Sequence, residues 1–448
     1  MKIPNVVLVF ADQWRAQAIS YAGDPNVKTP NLDALEKESV NFTHAVSGCP
    51  VCSPYRASLL TGQFPLTHGV FVNDVHLQHR ATSLAEAFTS AGYETAYIGK
   101  WHVDGHGRSN YIPPERRQGF DYWKVLECTH GYNHSAYYAG DSERKQYWEG
   151  YDAMAQNLDA QNYIRQHDGG KPFLLVLSWG PPHAPYHTAP CAFRELYNPE
   201  TIELRPNVPE GIAPKAREWL AGYYAHCSAL DACVGDLLQA IRNRGIEEDT
   251  LFVFTSDHGD MLGSQGHEKK QRPWDESIRV PFLLRYPALL GRTSRNLNAL
   301  IDAPDILPTL LGLSGLPLPE TVEGLDYSHY IQGGKDPSDG AVVVTCPYPF
   351  GQWTRQTQGA GEYRGIRTGK YTYARTLTGP WLLYDNEEDP YQLHNLIGGP
   401  EYSDLQKELD EHLQRKLDAM GDQFLPGIEY IRRWNYPLDA TGTVPYTL

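Results

Sequence analysis

Four short runs in the chain are apolar at almost every position: NVVLVF (5–10), ETAYIG (94–99), PFLLVLSW (172–179) and TLFVFTS (250–256). Runs this short, apolar throughout rather than alternating, predict strands buried on both faces. Between them lie stretches with apolar residues at helical spacing: 30–39, 82–92, 152–167 and 216–245. Strands alternating with helices predict an α/β fold, a mainly parallel sheet sandwiched by helices. No internal repeat is visible.

The pattern changes after about residue 313. LSGLPLPETVEG and IQGGKDPSDG are Pro- and Gly-rich connectors. Strand-like runs at 341–346, 363–376 and 381–386 follow, then a long helical stretch at 402–421. The expected division is a catalytic domain over 1–340 and a smaller C-terminal α+β subdomain over 341–448.

Composition narrows the classes. The 448 residues have room for two or three average domains, or for one large α/β domain with an appendage. A net charge of −15 disfavours nucleic acid and anionic membrane surfaces as partners. An anionic substrate stays open, because a pocket can carry the opposite sign. Seven cysteines, an odd number, do not form a disulfide framework. No apolar run approaches a membrane span, and no secretory signal stands at the N-terminus. The expected location is the cytoplasm, or the periplasm or exterior if a signal peptide has been removed.

Each candidate strand runs into polar residues at its C-terminal end, where open parallel sheets place ligands. The first gives Asp12 and Gln13, the second Lys100 and His102, the third His183, and the fourth Asp257 and His258. Any one of these reads equally well as a turn residue or helix cap. Four ends of one kind point to a site. Asp12, Gln13, Asp257 and His258 form an oxygen-rich set with one imidazole. Such a set suits calcium or magnesium and leaves manganese or zinc open. Lys100, His102 and His183 add positive or protonatable groups, as a tetrahedral oxyanion would require.

The stretch CPVCSPYRASLLTG (49–62) holds two cysteines three apart. A redox pair would place the first at a helix start. Here the helix is expected after the second, with Ser53 as N-cap, Pro54 at the first helical position and Gly62 at the end. A zinc site needs a second pair, which the sequence lacks. A cysteine phosphatase needs arginine six residues after its nucleophile, but those positions hold Tyr55 and Ser58.

Cys52-Ser53-Pro54-Tyr55-Arg56 resembles the C-x-P-x-R signature of the type I sulfatases. NVVLVFADQ, YIGKWH, PPHAPY, FTSDHGDMLG and KQRPWDESIRVPFLLRYP resemble the other blocks of that family, in order, across about residues 4 to 315. The resemblance implies an alkaline-phosphatase-like fold whose smaller C-terminal subdomain carries an antiparallel sheet. It also implies conversion of Cys52 to formylglycine by a formylglycine-generating enzyme, and a divalent metal, calcium first, with magnesium or manganese possible. Asp12, Gln13, Asp257 and His258 fall on the metal-ligand positions, and the modified Cys52 completes the sphere. Arg56 and Lys100 fall on positions that stabilise the aldehyde hydrate. His102 falls on the position that helps break down the covalent intermediate, and His183 and Lys270 on those that hold sulfate and assist the leaving oxygen. Lys270 is preferred to Lys269 because it lies five residues before Asp275. Cys49 becomes a bystander. Gln13 and His258 stand where many members carry Asp and Asn, which loosens the inference to calcium and to the ester class.

The resemblance implies release of sulfate from a sulfuric ester. Loops at 71–79, 104–110, 131–151 and 350–358 are rich in Tyr, Trp, His and Asn. Aromatic faces with hydrogen-bonding neighbours suit a sugar ring, so the expected substrate is a small or oligosaccharide sulfate. A phosphonate monoester or phosphodiester hydrolase on the same scaffold is the alternative. A catalytically dead binding protein would have lost Cys52, Arg56 or Asp257, and none is lost.

Overall fold

The computed structural model describes residues 3–351, 353–354 and 361–447. Positions 352 and 355–358 of the loop 350–358 lie outside them. Ten strands form the large sheet: β1 (Asn5–Asp12), β2 (Val40–Phe42), β3 (Glu94–Lys100), β4 (Tyr122–Leu126), β5 (Ala136–Ala139), β6 (Gln146–Tyr147), β7 (Phe173–Pro182), β8 (Thr250–Ser256), β9 (Phe282–Arg285) and β10 (Arg295–Leu297). Their order is β10-β2-β9-β8-β1-β7-β3-β4-β5-β6. The five central strands, β8 to β4 in that order, are all parallel. Toward both edges antiparallel pairs appear, so the sheet is mixed.

Strand β1 shows why its run is apolar throughout. Val6, Leu8 and Phe10 pack into one hydrophobic cluster with the helices Cys52–Thr61, Leu84–Ser90 and Ala303–Leu313. Val7, Val9 and Ala11 pack on the other face with Pro30–Glu36, Asp152–Gln166 and Ala213–Arg244. Each fully buried aliphatic side chain contributes about 1.5–3 kcal/mol, so both faces hold the strand at the centre. No helix among the described residues is long and apolar enough to cross a membrane.

A second sheet is antiparallel, in the order β11 (Ala341–Cys346), β12 (Tyr363–Thr368), β13 (Tyr371–Thr376) and β14 (Gly379–Asp385). One face packs on Leu409, Leu413 and Leu417 of the helix Ser403–Ala419. The other meets Trp274, Ile278 and Met261 from the segment beyond β8. A bidentate pair joins the two parts, Arg367 Nε and Nη2 donating to Asp275 Oδ1 and Oδ2 at 3.0 and 3.1 Å.

Two local expectations are corrected. The run 363–376 is two strands rather than one, a hairpin turning at Gly369-Lys370. The helix expected to be capped by Ser53 starts earlier, with Val51 as N-cap in extended conformation and Cys52 as its first residue. Gly62 does end it, at φ 67. The earlier start puts residue 52 itself on the helix N-terminus, among its free amide groups.

Candidate active site

Parallel strands end on the same edge of the sheet, and that edge assembles the site. Asp12 is the last residue of β1, Lys100 of β3, and Asp257 and His258 follow β8 directly. His183 follows β7. Gly99 permits the close approach of β3 to β7, since a Cβ there would lie 2.0 Å from the carbonyl oxygen of Ser178. Helix Cys52–Thr61 brings Cys52 and, one turn on, Arg56 to the same edge.

Cys52 Sγ lies 3.6 Å from Asp12 Oδ1 and 3.3 Å from His258 Nε2. His258 Nε2 is 3.5 Å from Asp257 Oδ1 and 3.8 Å from Asp12 Oδ1. Lys270 Nζ donates to Cys52 Sγ and to Gln13 Oε1, each at 3.0 Å. Lys100 Nζ donates to Asp12 Oδ2 at 2.5 Å. Arg56 Nη1 donates to the Lys100 carbonyl and Ser178 Oγ, and Nη2 to both aspartates. Asp12, Asp257 and His258 are wholly buried.

Gln13, at φ 73, is fixed by its backbone N–H to Asp257 Oδ1 and its amide N–H to Asp260 Oδ2. Its amide oxygen faces the Lys270 ammonium. Asp74, His102, Lys269 and Gln271 also have positive φ, at 64, 60, 62 and 73. Non-glycine residues held there cost about 1–3 kcal/mol each and concentrate where the surrounding structure fixes a functional geometry.

Burial and Asp257's neighbour Asp12 push the Asp257 carboxyl up to about 6. Burial opposes ionisation of Asp12 too, but Lys100, His183, Lys270 and Arg56 hold it well below the usual range. Burial and Asp12 raise the Cys52 thiol, yet Lys100, Lys270 and His258 outweigh them and hold it low. Burial, then Lys270, keeps the His183 imidazole below its ordinary value.

Asp12, Cys52, Asp257 and His258 each offer one ligand atom, all within 4.8 Å of one another. Arg56 and Lys100 bind the Oδ2 atoms of the two carboxylates, which leaves both Oδ1 atoms directed at the imidazole, and that of Asp12 also at Cys52 Sγ. This donor set therefore fits a divalent metal.

The cluster opens into a cavity of about 430 Å³. Lys100, His102, Arg108, Lys269, Lys270 and Arg272 line it, a local excess of positive charge in an acidic protein. Of the aromatic loops, 71–79 contributes Val72, Asn73 and Asp74, 104–110 contributes Arg108, and 350–358 contributes Phe350, Gly351 and Trp353. The loop 131–151 contributes no described residue to that lining; Tyr137 stacks on Trp148, and Tyr151 bonds His226. Sequence reasoning missed Cys128, His130, Tyr348 and the tail residues Asp439, Thr441, Thr443, Val444 and Tyr446. His130 stacks on His183 with centroids 4.7 Å apart. Nothing in the local pattern of the tail marks it as cavity wall.

The family model for sulfatases matches residues 4–316. The chain belongs to the sulfatase family. It is an enzyme of the alkaline phosphatase superfamily that hydrolyses sulfuric esters. A second model, for the C-terminal part of N-sulphoglucosamine sulphohydrolase, matches residues 263–419. The sulfatase is 48% identical to an ulvan-active sulfatase of Formosa agariphila, over 99% of this chain and 87% of that protein. It is 31% identical to an endo-4-O-sulfatase of Bacteroides thetaiotaomicron, over 93% of this chain and 91% of that one. Among solved structures, the phosphonate monoester hydrolase of Agrobacterium radiobacter is 25% identical with a TM-score of 0.75, covering 94% of this chain and 96% of that one.

Proposed function

We propose that this sulfatase releases sulfate from a sulfated carbohydrate taken at an exposed end, using formylglycine formed at Cys52 and a divalent metal, calcium first. The observation that carries the reading is the placement of Cys52 Sγ, 3.0 Å from Lys270 Nζ and 3.3 Å from His258 Nε2, at the floor of a cation-lined cavity. That cavity, about 430 Å³, is sized for one or two sugar units rather than an extended polymer. The names of the ulvan-active and endo-4-O-sulfatase relatives support a carbohydrate ester.

Asp12, Gln13, Asp257, His258 and residue 52 would hold the metal, which would supply Lewis acidity there. Formylglycine at residue 52 would supply, as its hydrate, a hydroxyl nucleophile and a second hydroxyl that can give up a proton. The remaining work falls to the chain's own side chains. Arg56 neutralises the two aspartates that hold the metal. Lys100, paired with Asp12, stabilises negative charge at residue 52. Lys270 and His183 face the sulfate and assist the leaving oxygen, a contribution of about 10²–10⁴-fold for a positioned acid. His102 would accept the proton given up by residue 52.

The test is a panel of sulfated mono- and oligosaccharides with sulfate release measured, beside aryl phosphonates. Release from a terminal sulfated sugar supports the reading; hydrolysis of aryl phosphonates alone overturns it. The likeness to the phosphonate monoester hydrolase favours that second reading, and competition between the two substrate types separates them.

A further inference from the structure

The His102 ring is buried at the cavity wall, and neither of its nitrogens makes a standard hydrogen bond among the described residues. Its Nε2 faces the Asp74 carboxylate, 3.4 Å from Oδ1. Asp74 is held in turn by a fork: Arg108 Nε donates to Oδ1 at 2.8 Å and Nη2 to Oδ2 at 2.7 Å. Arg108 is itself clamped by the chain's end. Its guanidinium stacks 3.5 Å above the Tyr446 ring, and its backbone N–H donates to the Thr447 carbonyl at 2.6 Å. Asp74 and His102 both have left-handed backbones, so two residues in contact are each kept in a costly conformation by what surrounds them.

We propose that Asp74 is a positioning residue for His102, and that the C-terminal tail holds it in place through Arg108. This inference rests on His102 acting as the proton acceptor. A carboxylate facing Nε2 keeps the proton on that nitrogen and leaves Nδ1 as the accepting atom. It also offsets the positive charge the ring gains on accepting a proton. Burial opposes a charge on the ring, Cys128 beside it favours one, Lys100 opposes it and Glu127 favours it. Burial opposes ionisation of Asp74, but the Arg108 hydrogen bonds and His102 keep it a carboxylate. The fork through Arg108 gives the tail, far away in sequence, a direct mechanical link to a catalytic group.

The test is histidine-labelled NMR of the full chain, with the His102 signal identified by its loss in His102→Gln. In the wild type, Nε2–H dominates the neutral ring. In Asp74→Asn the titration midpoint of His102 falls by about one pH unit or more and the tautomer preference weakens; Asp74→Glu restores part of both. Arg108→Gln moves both in the same direction by less, and serves if Asp74→Asn does not fold. With 4-nitrophenyl sulfate, Asp74→Asn lowers kcat about 10- to 100-fold with KM within about 3-fold, and moves the acidic limb of the kcat profile to lower pH. An unchanged midpoint and tautomer ratio in both Asp74→Asn and Arg108→Gln overturns the proposal. The NMR readout does not depend on turnover, so a failure of the sulfate-ester reading would show separately, as a wild type that releases no sulfate.

Discussion

The Arg56 guanidinium lies between two carboxylates, 3.1 Å from Asp12 Oδ2 and 3.1 Å from Asp257 Oδ2. All three side chains are cut off from water. A buried ion cluster of this kind holds only while every member is present. Arg56→Ala leaves two buried carboxylates facing each other and costs about 3–5 kcal/mol in urea unfolding. Arg56→Lys keeps the charge but not the fork, so it folds while sulfate release falls at least about 100-fold. A fully active Arg56→Lys enzyme would show that the fork is dispensable.

Arg56 and Lys100 occupy the Oδ2 side of Asp12 and Asp257, and the Oδ1 atoms face Cys52 and His258 instead, where a divalent metal would sit. Chelation is expected to abolish turnover and lower Tm, with both restored by calcium or, less well, magnesium. A metal present at 100 times its Kd adds about 2.7 kcal/mol to stability. Asp257→Asn abolishes the recovery. Turnover that survives exhaustive chelation, with no metal left by elemental analysis, would count against a metal site.

Lys269 and Lys270 both line the cavity, but Lys270 touches Cys52 Sγ and Gln13 Oε1. Lys270→Met is expected to lower kcat about 10²–10⁴-fold, and Lys269→Met to act mainly on KM. Equal kcat losses in the two variants would mean that sequence spacing and proximity have singled out the wrong residue.

Much of this site was legible in the sequence, because a strand buried on both faces announces itself by continuous apolar residues and its C-terminal end then stands out as polar. Asp12, Lys100, Asp257 and His258 share that signature. Arg56 followed from helical spacing after Cys52. Asp74 and Arg108 sit in loops that read as substrate-facing, but their fork joins side chains 34 residues apart, which no local pattern signals. Tyr446 was invisible for a further reason: its partner lies over three hundred residues away. The outer strands β2, β4, β5, β6, β9 and β10 were missed because runs of two to five residues carry too little period. The antiparallel flanks of the large sheet were lost with them.

Asp152, buried at the start of its helix, carries a carboxyl pushed by burial up to about 7, against hydrogen bonds from Ser135 and the Ala153 amide. Folded protein therefore binds a proton there between about pH 4 and 7 that unfolded chain releases, and stability falls as pH rises through that window. Asp152→Asn removes this slope. It is expected to be more stable than the wild type at pH 8, by at most about 4 kcal/mol, and to lose that advantage near pH 4. Parallel Tm profiles for the two proteins from pH 4 to 8 would refute it.

The central claim, that residue 52 works as an aldehyde rather than a thiol, is tested most directly by mass spectrometry of the peptide spanning Cys52. Preparations made with graded amounts of a formylglycine-generating enzyme provide the series, with sulfate release measured on each. The account predicts activity proportional to the fraction of residue 52 converted, reaching zero in a folded Cys52→Ala protein. Full activity in protein whose residue 52 is entirely unmodified cysteine would contradict it.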